Sequence, residues 1–477
     1  MEKENIIDFG IYVPVDLLED RLKAEAYNQG YLNFKIHKIK SGIPYLPLSE
    51  FMTISAMIGW KGLTTEHYVD KGGYYLIRTV DLDNFFINLT NALRVDEEKV
   101  VEQPQIILKE ADIVISKDGT LGELAIVENL KDAKLCAAST LARLRKKSDS
   151  NIDNHFVLVC LASKEVKGQI YSFTSGIAQP HLNQEYLKKI EIPIPSEEIQ
   201  KYIGDKVRKA EKLRNEYQML KDTCNSLLSK YLGEPSLKAD RTSLSLIKSS
   251  ELTDRIDAEY YRQTYLEIIN ALKAKYDLIS LDKICNGKIS NGKTYQTTQG
   301  GSLLQNIGVG ELGNWFPETN VDKCINEKVA SKNILPFGSI VWGNAAHLAK
   351  YIGQKVNIIL EENRYVGTTE ITSILPDENI MSPYFVFLFM NSDWGYYQIQ
   401  RTVKGMTAHS YPDDIRNILV PNISFTQEEL QEIKTGIINA HSSLKSLQEC
   451  INSAKKDIED LIEGSFRTKE EYLNLID

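Results

Sequence analysis

The sequence is poor in cysteine, with six in 477 residues. Cys136, Cys160, Cys224, Cys285, Cys324 and Cys450 are scattered, without a C-x-x-C pair or histidines at zinc-ligand spacing. That excludes a disulfide framework and a zinc finger; reduced thiols in a cytoplasmic protein are expected. No run of about 18 uninterrupted apolar residues occurs, so no membrane span is expected. The opening MEKENIIDFG has no basic stretch leading into an apolar one, so no secretory signal is expected either. Positive charge is not in excess: 56 Lys and Arg face 65 Asp and Glu, for a net charge of −9. Bulk attraction to nucleic acid is thereby removed, although a local basic face can still bind it. The seven histidines do not cluster with a nucleophile and a carboxylate in a catalytic order.

What is present is a globular mix, 42% hydrophobic and 25% charged, in a chain long enough for two to four domains. An internal repeat organises it. Asp20-Arg-Leu-Lys-Ala-Glu-Ala-Tyr27 returns as Asp254-Arg-Ile-Asp-Ala-Glu-Tyr-Tyr261. YLIRTVDLDN (75–84) has a gapped echo in LLQNIGVGELGN (303–314), and ADIVISKDGTLG (111–122) a weaker one in GSIVWGNAAHLA (338–349). SGIAQPHLNQEYLKKIEIPIP (175–195) matches KGMTAHSYPDDIRNILVPNIS (404–424). The common order, at a common offset of about 230 residues, makes the chain two diverged copies of one unit.

Each copy begins α+β. IVIS (113–116), LAIV (124–127) and FVLVCLA (156–162) read as strands, with short helices near EYLKKI and SPYFVFLFMN. Each copy ends in a long helix. The first starts after Pro195, with Ser196 as N-cap; Thr426-x-x-Glu429 has capping-box spacing at the start of the second. Both carry apolar seams in steps of three and four, the mark of a coiled coil. Ile203, Val207, Ala210, Leu213, Tyr217, Leu220, Cys224, Leu227 and Tyr231 mark the first, and Leu430, Ile433, Ile437, Ala440, Leu444, Leu447, Ile451, Ala454, Ile458 and Leu461 the second. Two matched seams favour antiparallel pairing with each other; an amphipathic helix packed on its own domain is the alternative. The expected layout is a globular domain at 1–195, a helix at 196–235, a second domain at 236–425, a second helix at 426–466 and a tail at 467–477.

Motifs for chemistry fail on context. Gly308-x-Gly310-x-x-Gly313 spells a dinucleotide fingerprint, but Asn314-Trp-Phe-Pro317 stands where a helix should open, so a turn is expected. Ser382-Pro-Tyr-Phe385 is similar to the base-gripping loop of amino-methyltransferases, yet lacks its second proline and any cofactor loop; a helix start with proline in the first turn is expected. Pro412-Asp413 with Glu432-x-Lys434 mimics a nuclease triad, but Glu432 and Lys434 fall within the second long helix. No catalytic residue and no metal ligand is assigned. His181 and His409 sit at matching places in the two copies, either in turns that satisfy the imidazole or against a neighbouring helix.

Polar, aromatic loops remain as binding candidates. Lys61, Thr64, Thr65, Tyr68 and Lys71 stand in a glycine-rich stretch before a strand, and Lys293, Thr294, Tyr295 and Gln296 occupy the corresponding place in the second copy. These side chains can contact phosphates and base edges. Lys117 and Asn344, in the echoed segments at 111–122 and 338–349, and Arg143, in the basic run Arg143–Lys147, complete the set.

With these residues in view, the chain resembles the DNA-specificity (S) subunits of type I restriction–modification systems over nearly its whole length. The carrying segments are the D-R-x-x-A-E-x-Y openings, Asp112-Ile-Val-Ile-Ser-Lys-Asp-Gly-Thr120, Gly176-Ile-Ala-Gln-Pro-His-Leu-Asn183 and Ile192-Pro-Ile-Pro-Ser-Glu-Glu-Ile-Gln200. The second copy departs from this pattern at Met406-Thr-Ala-His409 and Pro421-Asn-Ile-Ser424. The resemblance implies a non-enzymatic subunit with two target recognition domains, each reading one half of a bipartite site in double-stranded DNA. Their long helices would form an antiparallel coiled coil that spaces the domains and docks methyltransferase (M) subunits, with a restriction/translocase (R) subunit joining for cleavage. S-adenosylmethionine, Mg²⁺ and ATP would belong to those partners, so no cofactor is expected here. A fused methyltransferase or nuclease, and a coiled-coil protein scaffold, are the alternative classes.

Overall fold

The computed structural model describes residues 13, 15–18, 27–57, 63–128, 132–174, 181–235, 247, 249, 252, 255–298, 303–319 and 323–466. The Asp20 opening up to residue 26, Asp254, Lys61, Gly176–Pro180 and the tail at 467–477 lie outside them. Two compact units emerge. One comprises 1–214 together with 446–477, the other 215–445.

In the first unit, an antiparallel sheet runs in the order Met52–Ala56, Leu141–Lys146, Ile113–Ser116, Leu124–Ile126. A second sheet runs Leu93–Val95, Tyr74–Ile77, Leu135–Ala137, Ile107–Leu108, and its central pair is parallel. Two buried helices, Asn154–Ala162 and Lys164–Phe173, follow. The expected strand at 156–162 is therefore a helix. Its residues are apolar and buried on every side, so no periodicity betrays the helix; Asp153 starts it by accepting hydrogen bonds from the His155 and Phe156 amides.

The second unit repeats this plan. Ile289–Asn291, Ile371–Ile374, Ile340–Gly343 and Val356–Ile358 form the antiparallel sheet in the same order. Cys324–Asn326, Leu303–Ile307 and Tyr365–Gly367 form the other, again with a parallel pair. Its fourth strand is reduced to a single bridge between Ile334 and Val366. The helix pair returns as Pro383–Asn391 and Asp393–Thr402, the first capped at Ser382 with Pro383 in its opening turn, as the sequence predicts. The Gly308 segment is a 3-10 turn at Val309–Glu311, also as expected.

The long helices span Glu197–Leu232 and Gln427–Glu463. Each unit holds the first half of one and the second half of the other, running antiparallel. In the first unit, Lys206 bonds Ser453 at 2.8 Å and pairs with Asp457. In the second, Lys230 Nζ and the Tyr231 hydroxyl both donate to Glu429 at 2.6 Å. Cys224 lies against Gly436, where an added Cβ would stand 2.6 Å from its sulfur, so the small residue sets the approach of the two helices. The capping box is realised: the Thr426 amide donates to Glu429 Oε2 at 3.0 Å, and the Glu429 amide to Thr426 Oγ1 at 3.1 Å. With Lys230, Tyr231 and the Thr426 amide all bonded to it, the Glu429 carboxyl is held down at about 2.

The seam is broader than a two-helix contact. Ile203, Val207, Ile451 and Leu447 are buried in the first unit's core among its sheet and helix residues, with Leu213 half-buried beside them. Ile433 and Ile437 are likewise inside the second unit's core, with Leu220, Leu227 and Leu444 at its margin. In this stretch the first helix buries Tyr217, Lys221, Cys224, Leu228 and Leu232 most deeply. Both readings of the helices therefore hold at once: each half packs on the other helix and on the globular residues of its own unit. Among the described residues no helix is long and apolar enough to cross a membrane, and all six cysteines are free, five of them buried.

Candidate nucleic-acid interface

Each candidate loop is fastened to the edge of a sheet. In the first unit the Val69 amide donates to Arg94 O at 3.0 Å and the Asp96 amide to His67 O at 2.9 Å, binding the loop to edge strand Leu93–Val95. Gly73, at φ +60°, passes so close that a Cβ would lie 2.0 Å from Val95 O. On this anchored loop Thr64, Thr65, Tyr68 and Lys71 are exposed. Arg94, which the sequence reading did not single out, stands on the same edge, its guanidinium 3.8 Å over the Tyr75 ring and bonded to Gly72 O at 3.1 Å.

The second unit fastens its loop at the corresponding strand. The Thr298 amide donates to Cys324 O at 2.9 Å, and the Lys293 amide to Gly367 O at 2.9 Å. Gly292 leaves no room for a Cβ, which would meet Gly367 O at 2.0 Å. Lys293, Thr294 and Gln296 are exposed; the Thr294 hydroxyl lies 3.3 Å from that of Thr369. Tyr295 is half-buried against Leu304, Ile325 and Val366, and its hydroxyl accepts from Asn333. It serves the loop's footing more than its surface.

Lys117 and Asn344 occupy equivalent joints. The Lys117 amide donates to Thr140 O at 2.9 Å and its carbonyl accepts from Leu182 N at 2.9 Å. The Asn344 amide donates to Glu370 O at 2.8 Å and its carbonyl accepts from Ser410 N at 2.8 Å. The next residues pair with the two histidines, Asp118 with His181 and Ala345 with His409. Both imidazoles are satisfied, His181 by the Asp118 carboxylate and His409 by Thr407 O at 2.6 Å. Lys117 Nζ is already paired with Asp118 at 2.6 Å. Burial works against ionising Asp118, but Lys117 and His181 outweigh it and hold the carboxyl below the usual range.

Two candidates are corrected. Arg143 is buried: its Nη1 donates to Ile107 O at 3.0 Å, and neighbouring Arg145 forks onto Asp112 at 2.6 and 2.7 Å. The basic run therefore ties one sheet to the strand beside it and offers no phosphate contact at Arg143. Asn344 is also buried, its amide donating to Thr369 O at 3.1 Å, so it shapes the joint. Alternation along the strand places Arg143 on the same face as Arg145, opposite Leu144, so the sequence pattern does not flag its burial; only the tertiary partners decide. Pro412 and Asp413 open a short helix at Pro412–Ile415, while Glu432 and Lys434 lie in the second long helix as expected. Among the described residues, one group has metal-ligand spacing: Glu128, His155 and Glu211. It was not legible in the sequence, because the three residues come from separate elements.

Residues 47–219 match the family model described as the type I restriction modification DNA specificity domain. The Escherichia coli type I restriction enzyme EcoBI specificity subunit is 26% identical over 207 residues, an alignment spanning 43% of this chain and 42% of that relative. Among solved structures, the S subunit of the M. genitalium type I restriction-modification system aligns with 90% of this chain and 97% of its own, at 13% identity and a TM-score of 0.45. The HsdS subunit of Thermoanaerobacter tengcongensis aligns with 89% of this chain and 97% of its own, at 13% identity and a TM-score of 0.29.

Proposed function

We propose that the chain is the DNA-specificity subunit of a type I restriction–modification complex and that each unit reads one half of a bipartite site. The observation that carries this reading is the recurrence, in 215–445, of the two-sheet plan found in the segment 47–219 that matches the DNA specificity domain. A duplicated reader gains affinity for a two-part site because its second half binds at high effective concentration. The exposed loop residues Thr64, Thr65, Tyr68, Lys71, Lys293, Thr294 and Gln296 supply donors of the kind that meet phosphates and base edges. The chain itself is non-catalytic; methyltransferase subunits dock on the paired helices, a restriction/translocase subunit joins them, and S-adenosylmethionine, Mg²⁺ and ATP act on those partners. A cytoplasmic location accords with six free thiols.

The test is selection from random duplex DNA by the full chain assembled with its methyltransferase, followed by sequencing. Two short conserved blocks at fixed separation are expected, with affinity falling steeply as salt rises. A single contiguous block, or methyl transfer by the chain alone from labelled S-adenosylmethionine, would overturn the reading.

A further inference from the structure

Three side chains from distant parts of the sequence converge in the first unit. Glu128 follows the strand Leu124–Ile126, His155 stands in the first turn of the helix Asn154–Ala162, and Glu211 projects from the first long helix. Their potential donor atoms all lie within 4.8 Å of one another. They line a cavity of about 460 Å³ that Asp205, Arg208 and Lys212 also border. His155 is only 8% exposed. Its Nε2 meets Glu128 Oε1, while Glu128 Oε2 and His155 Nδ1 are both buried without a hydrogen-bond partner. Orphaned buried polar atoms of this kind call for an explanation, since each carries a desolvation cost.

We propose that Glu128, His155 and Glu211 bind a divalent transition-metal ion of the Zn²⁺ type, which fastens the first long helix to the recognition fold of its own unit. One imidazole and two carboxylates form a borderline donor set that suits zinc-like ions better than Mg²⁺ or Ca²⁺, which take oxygen ligands. An ion held ~2.0–2.2 Å from each donor needs donors roughly 3–4 Å apart, so the present spacing requires only small side-chain movements. Asp153 Oδ1 lies 3.8 Å from His155 Nδ1, beyond hydrogen-bond distance, so a small turn of the ring would be needed for this carboxylate to orient a metal-bound imidazole. Arg208 does not oppose the ion with a free charge, because it forks onto Asp153 at 2.6 Å and Asp205 at 2.9 Å.

Proton chemistry agrees with the geometry. Burial and the adjacent Glu128 push the Glu211 carboxyl up to about 8. Burial opposes the charge on Glu128 too, but hydrogen bonds from His155 and Glu211 keep it below the usual range. Carboxylates bind a metal only in their ionised form, so metal binding is expected to release protons. This site stands apart from the DNA reading and needs none of it.

The full chain, stripped with chelator, would be titrated with Co²⁺ as a visible probe and with Zn²⁺ by calorimetry in buffers of different ionisation enthalpy. One Co²⁺ per chain with ligand-field bands, displacement by Zn²⁺ and release of about one proton per ion are expected. Glu211→Gln keeps the side chain's size and adds no charge beside Glu128, so it should stay folded by circular dichroism, yet weaken binding on the order of tenfold or more. His155→Gln should abolish the Co²⁺ bands, and Zn²⁺ should raise the melting temperature of the parent chain but not of Glu211→Gln. Co²⁺ binding no tighter in the parent than in the Glu211→Gln, His155→Gln double variant would overturn the proposal, leaving only a proton-sharing pair. So would undiminished binding in folded Glu211→Gln.

Discussion

The two units share a scaffold and differ in what they place on it. The backbone bonds of the joint recur, Lys117 with Thr140 and Leu182, Asn344 with Glu370 and Ser410. Around the first joint the side chains are Lys117 and Asp118, an ion pair, with His181; around the second they are Asn344, Ala345 and His409. The loops hang on equivalent edge strands, yet one carries Thr64, Thr65, Tyr68 and Lys71 and the other Lys293, Thr294 and Gln296. Hydrogen bonds of the main chain do not depend on side-chain identity, so duplication preserved them while the exposed residues diverged. A reader that must accept a new target can change its surface at little cost to its fold.

That comparison can be broken where the helices meet each unit. Leu447 is buried in the first unit's core, whereas Leu220 sits at the margin of the second's. Leu447→Asp should cost ~4 kcal/mol of unfolding free energy, and Leu220→Asp clearly less. Urea unfolding of the full chain would show the gap; equal costs would mean that the two seams are equivalent after all.

A smaller effect is expected at the loop anchors. Gly73→Ala and Gly292→Ala each force a Cβ against a carbonyl oxygen, at a cost of roughly 1–3 kcal/mol. Each should impair binding to one half-site only, which DNA carrying a single altered half would reveal. Equal loss on both halves from either change would contradict separate readers.

Lys221 sharpens the comparison through pH. This buried lysine bonds Asn314 Oδ1 at 2.9 Å, and burial pushes its ammonium down to about 8. In the unfolded chain the same group titrates near 10.4, so between about 8 and 10.4 the unfolded state binds more protons and stability rises with pH. The penalty present below pH 8 is about 3 kcal/mol, at 1.36 kcal/mol for each unit. Losing the Asn314 bond takes back about 1. Lys221→Met should therefore stabilise the chain at neutral pH by ~2 kcal/mol, with the gain fading as pH climbs through that window. A gain that persists unchanged at pH 10.5 would argue against a buried charge.

The smallest change separates contact from scaffold. Lys71→Ala should lower the salt slope of DNA binding by about 1 with little change in stability. Arg143→Ala should leave that slope alone and destabilise the fold, because its guanidinium serves Ile107 O. The opposite pattern would restore Arg143 as a phosphate contact.

Much of this architecture was legible in the sequence because repetition and capping are local signals. The recurrence of Asp-Arg-x-x-Ala-Glu, the Ser196 and Thr426 helix starts and the Ser382-Pro383 opening each depend on a few adjacent residues. The helix at 156–162 was hidden by being apolar on every face. Within the first seam Tyr217 and Cys224 are buried while Leu220 and Leu227 lie at the margin, and Leu228, outside the seam, is buried too, since the helix faces two neighbours and a 3.5-residue stripe describes only one. Arg143 and Asn344 looked available because nothing local announces a tertiary partner such as Ile107 O or Thr369 O.

The first unit is assembled from two separate stretches of chain, with the second unit's continuous 215–445 between them. On the ribosome this imposes an order. All of the second unit has been synthesised before Leu447, Ile451, Ala454, Ile458 and Leu461 exist to fill the first unit's core. The earlier-made part of the first unit therefore waits, its apolar floor open, for these later residues. A chain interrupted before residue 446 would carry a finished second unit and an unfinished first one, a state that chaperones and proteases recognise by its exposed apolar surface. Nesting one unit inside the other thus makes synthesis past residue 461 a condition for completing the first unit's core.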